Sequence, residues 1–530
     1  MPAITPCPAE LRQRFAQIVG SDNLRDDEAS LRLFSEDIWA PGEAVAMLIA
    51  APATTQELAD VIALANEHGI AIAPRGGGMG YTGSYVPVRA NTLSIDTQRM
   101  DKVLAISPED MTVTVQAGCT WLALNEALKV HGLRTPFWGP MSGISSTIGG
   151  GLSQLNAMFG AGHYGTSSES MIALTMVLAD GRILRTGARG TDGDTPFYRH
   201  YGPDLAGLFC GDSGTLGIKA EVTLRLIRTP QFEDCASFSF KSGEAMLEAL
   251  GEIARAGLAA ESCAFDPGLT RVRMKRMSMA DDVKTLGKVI AKEKSLGKGL
   301  LAAAKVALGG RDFIGADDYP LHISAEGRSK EGVAADMAAI RAIAARFGGA
   351  EIENTVAKVI RAMPFPPPNS ILGPEGESWA PIHGHASLSN APKMFGEIEA
   401  YFAAMAERFE QHGIFTGFLF TSLSTNALTI EPVFFWPEGY RPVHKSMVEP
   451  AHLARLKQLG PAPEATAVVT ESRNHIKTIC QKYGAAHFQI GRTYPYRESR
   501  DAAFCDVLDA VKAVVDPKGL FNPGALGFPQ

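Results

Sequence analysis

Hydrophobic positions along residues 51–228 recur with two different periods. TTQELADVIALANEHG (54–69) places apolar residues at helical spacing, and AIAP after it is a short apolar strand. NTLSIDTQRM and MTVTVQAG are rich in strand-forming residues and end at turn residues, which indicates two more strands. IALTMVLADGRILRTG (172–187) predicts a hairpin with Asp180-Gly181 at its turn. Helices and strands therefore share one core in this region.

The pattern changes at Thr229-Pro230. Beyond it, CASFSF, PLHISAEG, GFLFTSL and ALTIEPVFFW read as strands, and Ala-rich helices such as GVAADMAAIRAIAARFGG lie between them. This arrangement predicts a second domain of the α+β class. The proline-rich segment 361–381 is incompatible with a regular helix or a central strand, so we predict a long loop there.

Three glycine clusters interrupt the first region: PRGGGMGYTG (74–83), GPMSGISSTIGGG (139–151) and GLFCGDSGTLGI (207–218). The first cluster does not match the dinucleotide-binding fingerprint, because no helical pattern comes after it. It does not match the P-loop either, because it lacks the final Gly-Lys-Ser/Thr. The remaining interpretation is a nest of backbone N–H groups around a pyrophosphate, with Arg75 beside it. Purely structural turns are the alternative. Each interior glycine costs about 0.5–1 kcal/mol, so this density favours a long ligand lying against several backbone segments.

The order PRGGG, STIGGG, HYG and GDSGTLGI resembles the FAD-binding domain of the vanillyl-alcohol oxidase and p-cresol methylhydroxylase (PCMH) family. The resemblance covers about residues 35–228, and the late VVDPKGLFNPG is similar to the family's closing motif. It implies an α+β fold: a two-subdomain PCMH-type FAD-binding domain and an α+β cap domain with an antiparallel sheet. The implied domains are 1–230 for FAD, 231–470 for the substrate or cap domain, and 471–530 for a C-terminal segment that returns to the FAD domain.

The resemblance also implies how FAD is held. The loop at 75–80 would cradle the pyrophosphate, the segment 139–150 would follow the isoalloxazine and ribityl chain, and residues 214–218 would lie near adenine. The implied cofactor-binding residues are Arg75, Gly76, Gly77, Gly78, Met79, Gly80, Pro140, Ser142, Gly143, Thr147, Ile148, Gly149, Tyr164, Gly165, Gly214, Thr215, Gly217, Ile218 and Asn522. Some relatives attach the flavin through a histidine at the position that resembles Met79, so we expect non-covalent FAD.

Candidate catalytic residues lie in two later segments. In WAPIHGHASL, His383 and His385 would share one face of a strand, and a histidine base there would titrate near pH 6–7. Arg492 and Tyr494 precede the closing motif, where the family places substrate contacts, and a guanidinium suits a phenolate or a carboxylate. Structural or surface roles are the alternative for both pairs. The metal signature of the 2-hydroxyacid relatives, GHxGDGNLH, is absent, so we predict no metal.

These features predict an FAD-dependent oxidase or dehydrogenase that moves a hydride from an aromatic alcohol or para-substituted phenol to flavin N5. A D-2-hydroxyacid dehydrogenase is the alternative, and a redox-neutral flavoenzyme or a non-catalytic flavin-binding protein is a more distant one. Phenol-oxidising relatives carry a Tyr-Arg pair where this chain has Phe488 and Gln489, whereas the terminus NPGALGFPQ resembles the phenol-oxidising branch. The electron acceptor, whether oxygen, a cytochrome or a quinone, is not encoded in these motifs.

Composition and charge limit the classes of binding partner. A net charge of −7 argues against general nucleic-acid binding, and seven scattered cysteines fit neither a disulfide framework nor a zinc site. The first residues show no secretory signal pattern, so we expect a cytoplasmic protein and, from the family, a homodimer. Residues 271–311 carry eleven Lys or Arg against three acids. A solvated face explains this segment, and peripheral membrane contact is the alternative.

Overall fold

The computed structural model describes residues 2–188, 196–277 and 315–530. Their backbone separates into two compact units. The first consists of Met1–Ala157, Thr166–Thr229 and Phe488–Gln530, and the second of Met158–Gly165 and Pro230–His487. Of the basic segment 271–311, only residues 271–277 are described, so the prediction for its remainder lies outside the described residues.

Short sheets and the helices beside them build the first unit. Its strands are β1 (Leu24–Arg25), β2 (Leu48–Ala50), β3 (Ala71–Arg75), β4 (Thr92–Asp96), β5 (Val103–Ser107), β6 (Thr112–Gln116), β7 (Leu133–Arg134), β8 (Met171–Val177), β9 (Ile183–Arg185), β10 (Ile218–Arg225) and β11 (Ile227–Arg228). They pair in the orders β1-β2-β4-β3, β5-β6-β10-β8-β9 and β11-β7. Its helices are Ala9–Val19, Glu28–Phe34, Thr55–Glu67, Trp121–Lys129, Ile148–Gln154, Leu205–Leu208 and Ala502–Val515.

Local signals in the sequence account for several of these elements. Thr54 caps helix Thr55–Glu67 by accepting a hydrogen bond from the Glu57 N–H at 3.0 Å. The predicted hairpin forms from β8 and β9, and Gly181 at its turn has a φ of 83°. Such a φ is costly for a side chain with a Cβ atom, which explains a glycine at this turn.

The C-terminal segment is part of the first unit's core. Leu520 accepts a backbone hydrogen bond from Ile72 in β3, and Ile72 in turn accepts one from Asn522, both at 2.8 Å. Phe521 between them is 1% exposed and belongs to the apolar cluster of this unit. The chain enters the unit at Phe488, after helix Pro463–Lys482 of the second unit, so the predicted boundary at residue 471 falls inside a helix.

The second unit is built on an antiparallel sheet. Its strands are β12 (Phe232–Phe240), β13 (Glu261–Phe265), β14 (Tyr319–Gly327), β15 (Ala350–Ile352), β16 (Ser378–Pro381), β17 (Gly384–Ser387), β18 (Phe415–Leu423) and β19 (Ala427–Trp436). The order is β15-β12-β14-β13-β18-β19-β16, and β17 also pairs with β19. Its helices are Ala161–Tyr164, Gly243–Arg255, Pro267–Met277, Lys330–Arg346, Thr355–Ala362, Ala391–Ala404, Ala406–Gln411, Pro442–Met447, Pro450–Leu453 and Pro463–Lys482.

The two faces of this sheet differ in chemistry because successive residues of a strand point to opposite sides. On the apolar face, one row of paired residues is Phe238, Leu321, Ala264, Phe420 and Ile430, all buried. Phe395 of helix Ala391–Ala404 packs against this face, with its ring 5.3 Å from that of Phe420. The adjacent row, on the opposite face, contains Ser237, His322, Cys263, Thr429 and His385. We call this opposite side the polar face.

The proline-rich segment 361–381 is only partly the predicted loop. Helix Thr355–Ala362 runs into its start, and its last residues form strand β16. Among the strands of the described residues, β16 pairs only with β19, at the end of the sheet, which is where a strand containing Pro381 is tolerated. Among the described residues, no helix is long and apolar enough to cross a membrane.

Candidate functional site

The first glycine loop follows β3 directly and presents a run of backbone N–H groups. Within the part of the chain that the structure describes, none of the N–H groups of residues 76–80 donates a hydrogen bond to protein. The loop is instead held through its carbonyl groups. Tyr85 donates to the Gly78 carbonyl at 2.5 Å, and Ile38 donates to the Gly80 carbonyl at 3.2 Å. Five consecutive donors without a protein acceptor are suited to an anion such as a pyrophosphate.

Glycine is required in this loop because the second glycine cluster packs directly against it. A Cβ atom at Gly77 would lie 2.7 Å from the carbonyl carbon of Ser145 and closer still to its oxygen. A Cβ atom at Gly76 would overlap the hydroxyl of Thr147. Gly149 extends this close packing, since its Cβ would lie 2.6 Å from that of Ala117. The two glycine clusters therefore form one cradle of closely packed backbone.

Arg75 supplies positive charge beneath the loop. Its guanidinium lies 4.2 Å above the ring of Phe34 and 5.3 Å from that of Tyr85, and it donates to the Leu33 carbonyl at 2.8 Å. The side chain is buried, and its Nε has no hydrogen-bond partner among the described residues. A buried cation beside unused N–H groups fits a cofactor with a negatively charged pyrophosphate.

The other predicted cofactor residues are distributed over both units. Thr147 caps helix Ile148–Gln154 by accepting from the Gly150 N–H at 3.2 Å, and Gly143 donates to the Pro140 carbonyl at 2.9 Å. Ser142, Gly214, Thr215, Gly217 and Ile218 also lie in the first unit, whereas Tyr164 and Gly165 lie in the second. Their contact with FAD stays a prediction.

Asn522 and Arg492 form a buried polar network in the first unit. The Asn522 amide donates to the carbonyls of Ser84 and Ser213, both at 2.5 Å, and accepts from Arg492 Nη2 at 2.8 Å. Arg492 also donates to the carbonyls of Gly83 and Pro523. Burial lowers the pKa of Arg492 to about 10. The network fastens the C-terminal segment beside the glycine loop, and the predicted substrate contact of Arg492 stays a prediction.

Tyr494, predicted beside Arg492, is buried in the same unit, and its backbone N–H bonds the Ile490 carbonyl at 3.3 Å. Arg492 and Tyr494 therefore belong to the first unit, whereas His383 and His385 belong to the second.

The predicted histidine pair lies at the end of the second unit's sheet, with a third histidine beside it. The rings of His383 and His385 are 5.7 Å apart, and that of His487 is 6.1 Å from His383. His487 Nδ1 donates to the His383 carbonyl at 2.7 Å, and His385 Nδ1 is hydrogen-bonded to Thr429 Oγ1 at 2.9 Å.

Burial changes how these histidines titrate. It lowers the pKa of His385 to about 3, and nearby His487 adds to the effect. Burial also lowers the pKa of His487 to about 4, against the hydrogen bond to the His383 carbonyl. Both imidazoles are therefore uncharged at neutral pH, and the expected titration near pH 6–7 does not belong to these two rings.

Sequence reasoning missed two charged residues on the same polar face. Glu431 interrupts the apolar strand ALTIEPVFFW, and Arg273 lies on helix Pro267–Met277 with its guanidinium 3.9 Å from the Phe265 ring centroid. Burial raises the pKa of Glu431 to about 7, and Arg273 opposes that rise. A lone acid between Ile430 and Pro432 in a strand is the sequence signal that could have identified this position.

Comparison with known proteins also indicates an FAD-binding domain in this part of the chain. A model of an FAD binding domain matches residues 46–187, and a model of the C-terminal domain of FAD linked oxidases matches residues 469–526. A structure of p-cresol methylhydroxylase with substrate bound has the same fold, with a TM-score of 0.71, 17% identity and 99% of each chain covered. The chain therefore contains an FAD binding domain and a segment of the C-terminal domain of FAD linked oxidases, on a fold shared with p-cresol methylhydroxylase. The predicted α+β fold and the FAD cofactor are thereby confirmed.

The chain is also similar to proteins with other names. A structure of alkyldihydroxyacetonephosphate synthase has a TM-score of 0.71 at 19% identity and covers 99% of this chain and 87% of that chain. The chain is 29% identical to a glycolate oxidase subunit of Bacillus subtilis over 46% of its length, and 34% identical to a mitochondrial D-lactate dehydrogenase (cytochrome) of Saccharomyces cerevisiae over 36%. It spans 50% and 32% of the lengths of these two curated relatives.

Proposed function

We propose that this protein is an FAD-dependent oxidoreductase that oxidises an aromatic alcohol or a para-substituted phenol. The observation that carries the proposal is the cluster of His383, His385 and His487 in the second unit, of which His385 and His487 are uncharged at neutral pH. Neutral imidazoles hydrogen-bond a hydroxyl group, which aromatic alcohols and phenols both carry. The fold similarity to p-cresol methylhydroxylase also spans the second unit, whereas the two curated relatives align over less than half of this chain.

In this proposal the chain's residues orient the substrate and handle its proton. Bound FAD supplies a two-electron acceptor for the hydride of an activated C–H bond. His385, fixed by Thr429, presents its ring beside that of His383 and orients the substrate hydroxyl. The glycine cradle and Arg75 hold the cofactor's pyrophosphate.

A D-2-hydroxyacid dehydrogenase is the second candidate. The curated relatives named for glycolate oxidase and D-lactate dehydrogenase support it. The guanidinium that sequence reasoning assigned to a substrate anion, that of Arg492, already binds backbone carbonyls and Asn522. A redox-neutral flavoenzyme is a third reading, supported by the fold similarity to the synthase, and a non-catalytic flavin-binding protein is more distant. A role in aromatic catabolism, a cytoplasmic location and a homodimer remain part of the proposal, and the acceptor is left open.

Non-covalent attachment of FAD gives a direct test. Met79, at the position where some relatives carry the attaching histidine, offers no nucleophile that forms a stable flavin bond. We expect the purified protein to be yellow and acid precipitation to leave the flavin in the supernatant, as measured by its absorbance and fluorescence. Flavin that stays in the precipitate would contradict this attachment mode without affecting the family assignment.

Substrate class is tested by anaerobic flavin reduction with 4-hydroxybenzyl alcohol, benzyl alcohol, D-lactate and glycolate. We expect the aryl compounds to bleach the flavin faster than the acids. His385→Ala should slow that reaction by roughly 10-fold, because losing one hydrogen bond from a neutral imidazole costs about 0.5–1.5 kcal/mol. The exposed His475, stacked on Tyr401, provides the control, and His475→Ala should react like the wild type. Efficient reduction by D-lactate alone would favour the second candidate.

A further inference from the structure

The polar face of the second unit brings Glu431 and His383 to facing positions. Pro381 in β16 pairs with Val433, and Gly384 in β17 pairs with Ile430, so the intervening register sets His383 opposite Glu431. On its other side, Glu431 pairs with Leu419 of β18, which in turn pairs with Phe265 of β13. The row Phe265, Leu419, Glu431 and His383 therefore crosses the sheet next to the row that contains Thr429 and His385.

Glu431 is half-buried on this face. Protein surrounds its carboxyl group closely enough to raise the pKa to about 7, yet the residue keeps part of its surface accessible. A packed core residue would be inaccessible, and a surface residue would titrate normally. Among the residues that the structure describes, none forms a hydrogen bond or an ion pair with the Glu431 carboxylate.

Three titratable or charged groups face Glu431 from the neighbouring elements. Arg273, on helix Pro267–Met277, is the positive charge that favours the ionised form of Glu431. Cys263 of β13 lies near the carboxylate: burial raises the pKa of its thiol, and the Glu431 charge adds to that rise. His383 occupies the facing position in the strand register. Arg273 itself makes no ion pair within the described residues, so Glu431 is not half of a closed salt bridge.

We propose that Glu431 is the group that accepts the substrate's hydroxyl proton, with His383 and His385 orienting that hydroxyl. The inference rests on the proposed function. In the oxidation of a benzylic alcohol, the carbon loses a hydride to FAD, the hydroxyl loses a proton to the Glu431 carboxylate, and a C=O bond forms. Glu431 becomes a neutral carboxylic acid and later returns its proton to solvent. The imidazole of His385, uncharged at neutral pH, hydrogen-bonds without ionising, so orientation and proton transfer belong to different residues.

A carboxyl group enclosed by protein without a hydrogen bond is destabilising and therefore points to function. Its folded pKa lies above the unfolded value. The associated stability is thus present below about pH 4.5 and is lost as the pH rises through 7. Removing the charge with Glu431→Gln should therefore raise the melting temperature at pH 8, and the difference should shrink toward pH 5. If the Glu431 carboxylate instead stabilised the fold, Glu431→Gln would lower the melting temperature at pH 8.

The test compares the FAD-bound wild type with Glu431→Gln, Glu431→Asp and the control Glu399→Gln. Glu399 is exposed and accepts a hydrogen bond from Tyr319. Anaerobic reduction by 4-hydroxybenzyl alcohol should fall below pH 7 in the wild type. In Glu431→Gln, flavin reduction should be about 100-fold slower and should not fall further below pH 7. In Glu431→Asp, the rate should be lower than in the wild type but should still fall at low pH. Glu399→Gln should match the wild type.

A binding measurement without turnover completes the test. Phenol binding near pH 7, followed calorimetrically in buffers of different ionisation enthalpy, should release protons in the wild type and none in Glu431→Gln. Wild-type rates, pH profile and proton release in Glu431→Gln would overturn the inference. If only D-lactate reduces the wild-type flavin, the aromatic assignment fails, and the same variants measured with D-lactate then decide the role of Glu431. A poorly folded Glu431→Gln with a flat pH profile in Glu431→Asp would also overturn it.

Discussion

Gly77→Ala is expected to produce protein that loses FAD during purification. The added Cβ atom would overlap the carbonyl carbon and oxygen of Ser145. These are backbone atoms, so no rotation of a side chain relieves the clash. Overpacking that forces such shifts costs about 1–3 kcal/mol, which corresponds to roughly 10- to 100-fold weaker binding if the cradle opens. The ratio of flavin absorbance to protein absorbance, and an FAD titration of the stripped protein, measure the effect.

Gly396→Ala is the matched control for this change. Gly396 lies in helix Ala391–Ala404 of the second unit, and a Cβ atom there would have no neighbour within 4 Å. Alanine stabilises a helix by up to about 1 kcal/mol relative to glycine, so this variant should retain FAD fully and unfold slightly later. Wild-type FAD occupancy in Gly77→Ala would show that the two glycine clusters do not need this close approach to bind the cofactor.

Sequence reasoning located the glycine cradle but not all of its reasons. Gly77 was expected to let the backbone approach a pyrophosphate, which stays a prediction, and the structure adds that it lets the backbone approach Ser145. Glycine density reveals that something lies close, but it does not reveal whether that neighbour is a ligand or another segment of the chain. The partner depends on long-range packing, which a local pattern does not contain.

The elements themselves were more accessible to prediction. The helical spacing in 54–69 and the apolar run ALTIEPVFFW depend on residues a few positions apart, and both elements form where they were expected. The polar face was not foreseen, because the row from His322 through Cys263 to His385 joins strands far apart in sequence. For the same reason, the lowered pKa values of His385 and His487 follow from burial that only the folded chain provides.

Arg492 was expected to bind substrate, but the structure gives it hydrogen bonds that explain the residue structurally. Its position before the closing motif predicted a substrate contact. In the structure its guanidinium bonds the carbonyls of Gly83 and Pro523 and the side chain of Asn522. Bonds from a charged donor contribute about 1.5–3 kcal/mol each, so these contacts alone give the chain a reason to carry arginine here.

The last prediction separates these two roles. We expect Asn522→Ala to destabilise the FAD-bound protein by about 3–5 kcal/mol, because it leaves the carbonyls of Ser84 and Ser213 and one face of Arg492 without partners in a buried site. Arg492→Ala should cost a similar amount, and the double variant should cost clearly less than the sum, since the two residues share one network. Urea unfolding followed by flavin fluorescence measures all three.

Arg500→Ala is the control, because Arg500 is exposed and stacks on Tyr496 in the same segment. It should change the free energy of unfolding by less than about 0.5 kcal/mol. If Arg492→Ala instead keeps full stability and FAD while flavin reduction by aryl substrates falls, Arg492 is a substrate-binding residue, as the sequence predicted. If stability, FAD retention and flavin reduction fall together, the network with Asn522 positions the glycine loop, and the contribution of Arg492 to the reaction passes through the cofactor site.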